Sequence, residues 1–256
     1  MYKFLLTPKW IALHVACLLV IGGMVSAGLW QLGRYQDRQD FKAEVNSRTN
    51  ADIVPFESLA GQAPSDIEWR RVTATGTYVA GKDFEIVNVS QSGVSGHDAV
   101  AGLVLADGTV LLVNRGFVAG TDPLAPAPSG EVTITGRIRQ SQSAGTGQAS
   151  DNGGEQLTQI RRMDLAALSQ QFDQTTQPVY LDQLDIQYEP AGTQPVVFPD
   201  LDGGPPHLSY TIQWFIFSVA VVVGWVLAVR KSINDRSGKP KKRKIPPIDE
   251  SYASTG

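Results

Sequence analysis

The chain has 256 residues, 42% of them hydrophobic, with 22 Lys+Arg, 25 Asp+Glu and one cysteine. That length fits one or two domains. The lone thiol, Cys17, lies in an apolar run, which excludes a disulfide framework and any thiol-based metal or redox chemistry elsewhere in the chain.

The charge is strongly segregated. Residues 10–33 and 207–229 contain no charged side chain. Each run is long enough to cross a hydrocarbon core of roughly 30 Å as a helix, at about 1.5 Å per residue. The first run follows a tail, residues 1–9, that carries Lys3 and Lys9. Those lysines, the apolar stretch and "VSA" at residues 25–27 have the outline of a secretory signal. The apolar run continues through Trp30 and Leu32, which favours a retained membrane helix. A tail followed at once by that helix, without an Arg/Ser-rich leader, favours a bacterial plasma membrane over a mitochondrion.

Residues 34–206 hold 12 Lys+Arg and 22 Asp+Glu, net −10. "RYQDRQDFKAEVNSR" reads as a polar continuation of the helix or a juxtamembrane helix. "IEWRRVTATGTYVAGKDFEIVNVS" carries strand signals broken at Gly76 and Gly81. Asp107-Gly108 stands between two Val/Leu-rich runs, a hairpin signal. The Gly-rich "SGVSGHDA" makes His97 a solvated loop residue. "EVTITGRIRQ" alternates as a strand, and "SQSAGTGQASDNGGEQ" reads as a mobile loop. "RMDLAALSQQF" spaces Leu165, Leu168 and Phe172 at i, i+3 and i+7 behind a capping Asp164, so it is a short helix. "PVYLDQLDIQYEP" adds one or two strands. These elements predict a β-rich α+β domain between two transmembrane helices, with strand order left open.

Residues 230–256 carry 8 basic and 3 acidic side chains, and "KPKKRKIPPIDESYASTG" has a disordered composition. A basic run can bind nucleic acid, but directly after a membrane helix it reads as topology control and contact with anionic lipid. Basic flanks stay in the cytoplasm. Both termini are therefore expected there, with the acidic domain outside.

No phosphate-binding loop, nucleophile elbow, paired cysteines or zinc-binding His pair occurs, so neither a nucleophilic triad nor a His-rich zinc site is expected in the domain between the apolar runs. Only His14, His97 and His207 are present. His14 lies in the first apolar run, and a neutral histidine bonded to a helix partner is the reading there. Antiparallel helices bring Trp30, Gln31 and Arg34 to the same depth as His207, Tyr210, Gln213 and Trp214. His207, Tyr210, Thr211 and Trp214 share a helix face at i, i+3, i+4 and i+7. Two readings stand. Trp and Tyr collect at membrane interfaces for their amphipathic rings, and a histidine there can simply be hydrated. Alternatively His207 ligates a haem iron, Arg34 pairs with a propionate, and Trp30, Tyr210 and Trp214 cover the macrocycle. In "NRGFV", Asn114 is expected to end a hairpin strand, Gly116 to allow a tight bend, and Arg115 to bond backbone carbonyls or a carboxylate.

"GLWQLGR" at residues 28–34, with Gly28, Trp30, Gln31 and Arg34, resembles the end of the first membrane helix in the Surfeit locus protein 1 family. "EWRRVTATGTY", "LLVNRGFV" with Asn114, Arg115 and Gly116, "PVYLDQ" and "HLSYTIQWFIF" are similar to that family's later motifs, in order. The resemblance implies an assembly factor for haem-a-containing cytochrome c oxidase that helps insert haem a into the catalytic subunit, and not an enzyme. It implies haem a as transient cofactor, His207 as the iron ligand, and the oxidase catalytic subunit and the haem a synthase as partners. The rival readings are a haem-free scaffold that recruits oxidase subunits or the synthase, and an envelope sensor, for which the short tail supplies no output module.

Overall fold

Two long helices bracket the described chain, each following from its sequence. The computed structural model describes residues 2–238 except 152, 153 and 155. The tail beyond residue 238, expected to be disordered, lies outside the described residues. Helix α1 (Pro8–Asn50) starts on a proline, whose missing N–H costs nothing at a first helical position. It runs through the apolar segment into the polar "RYQDRQDFKAEVNSR" without a break, because no proline interrupts the strong helix formers there. Helix α4 (His207–Arg236) begins after Pro205 and Pro206. Both helices are long and apolar enough to cross a membrane, and only 6% of the most apolar window of each is buried. Among the described residues, those of 2–39 and 204–238 form one compact unit, and those of 40–203 form a second.

The second unit is built on a seven-stranded mixed sheet: β1 (Val54–Pro55), β2 (Arg71–Gln91), β3 (Val94–Leu105), β4 (Val110–Ala119), β5 (Glu131–Gln140), β6 (Gln159–Ile160) and β7 (Thr176–Gln183). The order β2-β3-β4-β7-β5 closes through a β5–β2 pairing into a five-stranded barrel, with β1 and β6 added in parallel to β2. Within the ring only β4–β7 is parallel. A closed ring leaves no free edge among its five strands. Helices α2 (Pro64–Ile67) and α3 (Leu165–Leu168) are single turns. Asp164 caps α3, its Oδ1 accepting from the amides of Ala166 and Ala167, as its position before the apolar run predicts.

β2 serves both sides of the closure. Its first half pairs with β5 and its second with β3, and Gly76 pairs with both Leu105 and Val132. Gly76 is therefore not a break: it is where three strands meet, and a Cβ there would run into the Val104 carbonyl. Gly81, at φ +72, lies in the irregular stretch between Tyr78 and Asp83. The Asp107-Gly108 hairpin forms as expected. The Gly108 amide bonds the Leu105 carbonyl, Gly108 takes φ +81, and Asp107 accepts from the amide and hydroxyl of Thr109.

The barrel interior follows the two-residue period of its strands: Val72 and Ala74, Ala101 and Leu103, Leu111 and Val113, Ile134 and Ile138, Val179 and Leu181 form one cluster. The opposite faces of β3, β4 and β7 supply Val100, Leu112 and Tyr180 to a second cluster with Leu165 and Leu168 of α3. This is why β3 and β4 read as unbroken apolar runs: both of their faces are covered. Fully burying a residue such as Leu103 or Ile134 stabilises by about 1.5–3 kcal/mol.

Two expectations from the sequence are corrected. His97 is not a solvated loop residue: it sits in β3 and is buried. The turn is made by Ser92 and Gly93 alone, both at positive φ, and Gly96 belongs to the strand with the Phe117 ring against its Cα. Asn114 does not end a strand, because β4 runs on to Ala119 through a bulge. Ala99 pairs with Gly116 and Val100 with Asn114, so Arg115 is the extra residue.

Candidate functional site

Gly28 sets the seam between the two apolar helices. It is buried, and a Cβ there would lie 3.2 Å from the Phe215 ring and 3.4 Å from Trp214 Cβ. One turn on, the seam holds a polar pair: His207 Nδ1 is 2.7 Å from Gln31 Oε1. A carbonyl oxygen only accepts, so Nδ1 donates, and Nε2 is left as the nitrogen with a free lone pair. This is the arrangement in which an outer partner fixes the tautomer and direction of a ligating histidine. Thr211 and Ser218 continue the face of His207 and are buried, their hydroxyls donating to the carbonyls of His207 and Trp214 one turn back.

The other expected residues divide around this seam. Trp214 faces inward, against Gly28, with its ring edge-on to Phe217 at 6.4 Å. Trp30 is 58% exposed and Tyr210 46%. The Arg34 guanidinium lies 5.9 Å from the Trp30 ring centroid and 3.9 Å from Asp37. At 3.6 residues per turn, in two antiparallel helices that meet along Gly28/Gln31 and His207/Thr211, Trp30, Arg34 and Tyr210 turn to the same side of the seam, Trp30 farthest round. The structure thus brings Gln31 to His207 and leaves an exposed indole, phenol and guanidinium on one flank. His14, as expected, bonds the other helix: Trp225 Nε1 donates to its Nδ1 at 2.8 Å.

In the sheet unit the bulge turns Arg115 into a fully buried position. It donates to Glu189 Oε2 at 2.7 Å, to Asp83 Oδ1 at 3.1 Å and to the carbonyls of Ala125 and Pro126 at 3.2 and 3.3 Å. Its guanidinium also lies 5.8 Å from the Tyr78 ring centroid. Carboxylates and carbonyls alike are bonded, which ties β4 to the 125–126 and 189 loops. Asn114 donates to Asp98 Oδ2 at 2.9 Å and accepts from the Gly116 amide, holding the bulge. Gly116, at φ +130, has the backbone of Gln194 against it, so no side chain fits.

A buried polar row escaped the sequence reading. Asp98, Asn114, Asp182 and Arg137 lie on adjacent strands β3, β4, β7 and β5, and all are buried. Arg137 and Arg139 reach Asp182 Oδ2 at 3.2 and 3.6 Å, and Asp98 Oδ1 has no partner among the described residues. Burial pushes the Asp98 carboxyl above its ordinary range, with the Asn114 amide pulling the other way. Burial likewise raises Asp182 against the pull of both arginines. The row was hidden because Asp and Asn inside strands signal only turns when strand pairing is unknown. Trp69 packs over its end: Arg139 lies 3.9 Å from the indole centroid, and Phe41 and Phe198 meet it edge-on. Among the described residues no group of three His, Cys, Asp or Glu could hold a metal ion.

The model of the SURF1 family matches residues 18–219. Uncharacterized SURF1-like proteins of Mycobacterium tuberculosis and Mycobacterium bovis are 29% identical over 273 residues, covering 98% of this chain and 96% of theirs. A SURF1-like protein of Caenorhabditis elegans is 25% identical over 253 residues, covering 87% of this chain and 76% of its own.

Proposed function

The chain belongs to the SURF1 family, and on that premise we propose that it is a haem a carrier that assists assembly of cytochrome c oxidase in a bacterial plasma membrane. Both long helices cross the bilayer in this reading. Lys3 and Lys9 at one end and the basic residues from Arg230 at the other hold both termini in the cytoplasm. The acidic sheet domain then faces outward.

The observation that carries the reading is the Gln31–His207 bond, which leaves Nε2 of a half-buried histidine available to an iron. Haem is cargo in this reading, and its iron would accept that nitrogen as a ligand. His207 would hold the iron, and Trp30 and Tyr210 offer flat exposed rings beside it. Arg34 fits a propionate, with Asp37 as its partner when no anion is bound. Trp214 fits less directly, because its Cβ packs against Gly28; its part is to set the helix spacing there. The protein acts by binding rather than catalysis, and transfers its cargo by contact with the oxidase catalytic subunit after loading from the haem a synthase.

Oxidase purified from a deletion strain tests this. The proposal expects the catalytic subunit to be depleted of haem a and restored by the intact gene. Full haem a content in the deletion strain would overturn it, while restoration by a His207→Ala chain would leave a haem-free scaffold.

A further inference from the structure

At the other end of the same helix pair, the fold builds a groove that the haem reading does not use. A 3₁₀ turn, Lys3–Leu6, folds Phe4 against Trp10, ring centroids 5.3 Å apart, and the Arg236 guanidinium lies 4.2 Å from the Phe4 centroid. Trp10 in turn meets His14, which accepts from Trp225, so this end of the seam is an aromatic ladder. Beside it opens a groove of ≈ 510 Å³, walled by Trp10, Leu13 and Ala228, with Lys231, Asp235 and Arg236 toward the helix ends.

Along α4 the groove is ordered by depth: Ala228 lies deeper in the helix than Lys231, and Arg236 is its last residue. The α1 side, Trp10 and Leu13, is apolar throughout. The Arg236 guanidinium carbon lies over the Phe4 ring, and its N–H donors make no hydrogen bond among the described residues. No ion pair joins Lys231 or Arg236 to a carboxylate among the described residues, although Asp235 lies in the same groove. Two cations without an ion pair among the described residues, above an apolar wall, complement an amphiphile with an anionic head, and a basic pocket between membrane helices on the cytoplasmic side is suited to such headgroups.

We infer that this groove binds one anionic phospholipid, its phosphate on Lys231 and Arg236 and an acyl chain along Trp10, Leu13 and Ala228. The inference rests on the reading that both helices cross a membrane, but not on haem binding. A lipid held here would bridge the two helix ends and brace the seam that positions His207 at the opposite end.

The test uses the full chain in nanodiscs of phosphatidylcholine, titrated with brominated phosphatidylglycerol or brominated phosphatidylcholine, reading the tryptophan quenching that a Trp10→Phe chain loses, which isolates the indole lining the groove. The expected result is half-quenching by the anionic lipid at a roughly tenfold lower mole fraction. A Lys231→Gln/Arg236→Gln chain should lose that preference. A Lys9→Gln/Arg230→Gln chain, altered in nearby cations that do not line the groove, should keep it. Equal quenching by both lipids, equal loss in both variants, or equal effect of inorganic phosphate alone would overturn the site. Carbonate extraction of membranes separates this from the premise: release of the chain into the soluble fraction would sink the membrane reading itself.

Discussion

Replacing Arg115 by alanine should be the most damaging single change in the sheet unit. The side chains of Arg115 and Glu189 are each 1% exposed, and Asp83 is 20% exposed. Alanine would strip Glu189 of its only ion-pair partner among the described residues and leave the Ala125 and Pro126 carbonyls without this donor. Removing one partner of a buried pair costs about 3–5 kcal/mol, most of it from the stranded charge. Domains of this size are stable by about 5–15 kcal/mol, so the unfolded fraction rises by a hundredfold to several-thousandfold. Urea unfolding of the full chain, followed by pulse proteolysis of the sheet unit, measures this directly, and steady-state abundance should fall with it. Arg115→Lys keeps the charge but not the fork, and should lie between. A loss under about 1 kcal/mol would refute the bracing argument. Normal abundance with oxidase assembly lost would assign Arg115 to a partner or ligand, for which the ≈ 290 Å³ cavity beside it would be the place to look.

Gly28→Leu should force the helices apart and cost about 1–3 kcal/mol in thermal unfolding of the detergent-solubilised chain, with Gly28→Ala costing less because only the Phe215 ring edge must yield; equal stability of all three would contradict the seam. Asp98 carries a carboxyl raised by burial, so the folded state binds its proton more tightly than the unfolded one. Its contribution to stability is present below the unfolded carboxyl range and lost as pH rises through the folded pKa. Asp98→Asn should therefore gain stability over the native chain near neutral pH, with the gain shrinking as pH falls to about 4. A gain independent of pH would refute the assignment.

Local signals were readable wherever a few neighbouring residues decide the backbone. Asp107-Gly108, the alternation of β5 and the Asp164 cap are of that kind, and each forms as written. The bond from His14 to the other helix was legible too, because a polar ring in an apolar run needs a partner. Barrel closure was not, since it rests on β7 lying between β4 and β5, pairings of long sequence separation that no local propensity encodes. His97 and Asn114 were misplaced for one reason: glycines and polar residues were read as loop formers, when Gly96 and Gly116 are there because Phe117 and the Gln194 backbone come too close for a side chain. At the helix pair, spacing chose His207 and its motif included Gln31, but only the structure joins them.

The central claim, that His207 is placed to hold haem iron, is tested most directly by the visible spectrum and pyridine-haemochrome content of the full chain co-expressed with the enzymes of haem a synthesis. Haem a should be bound by the native chain, lost in His207→Ala, and reduced in Gln31→Leu, where Nδ1 loses its acceptor and the ring its fixed direction. Haem-free native protein, or equal haem in the native and His207→Ala chains, would contradict it and return His207 to a packing residue of the seam.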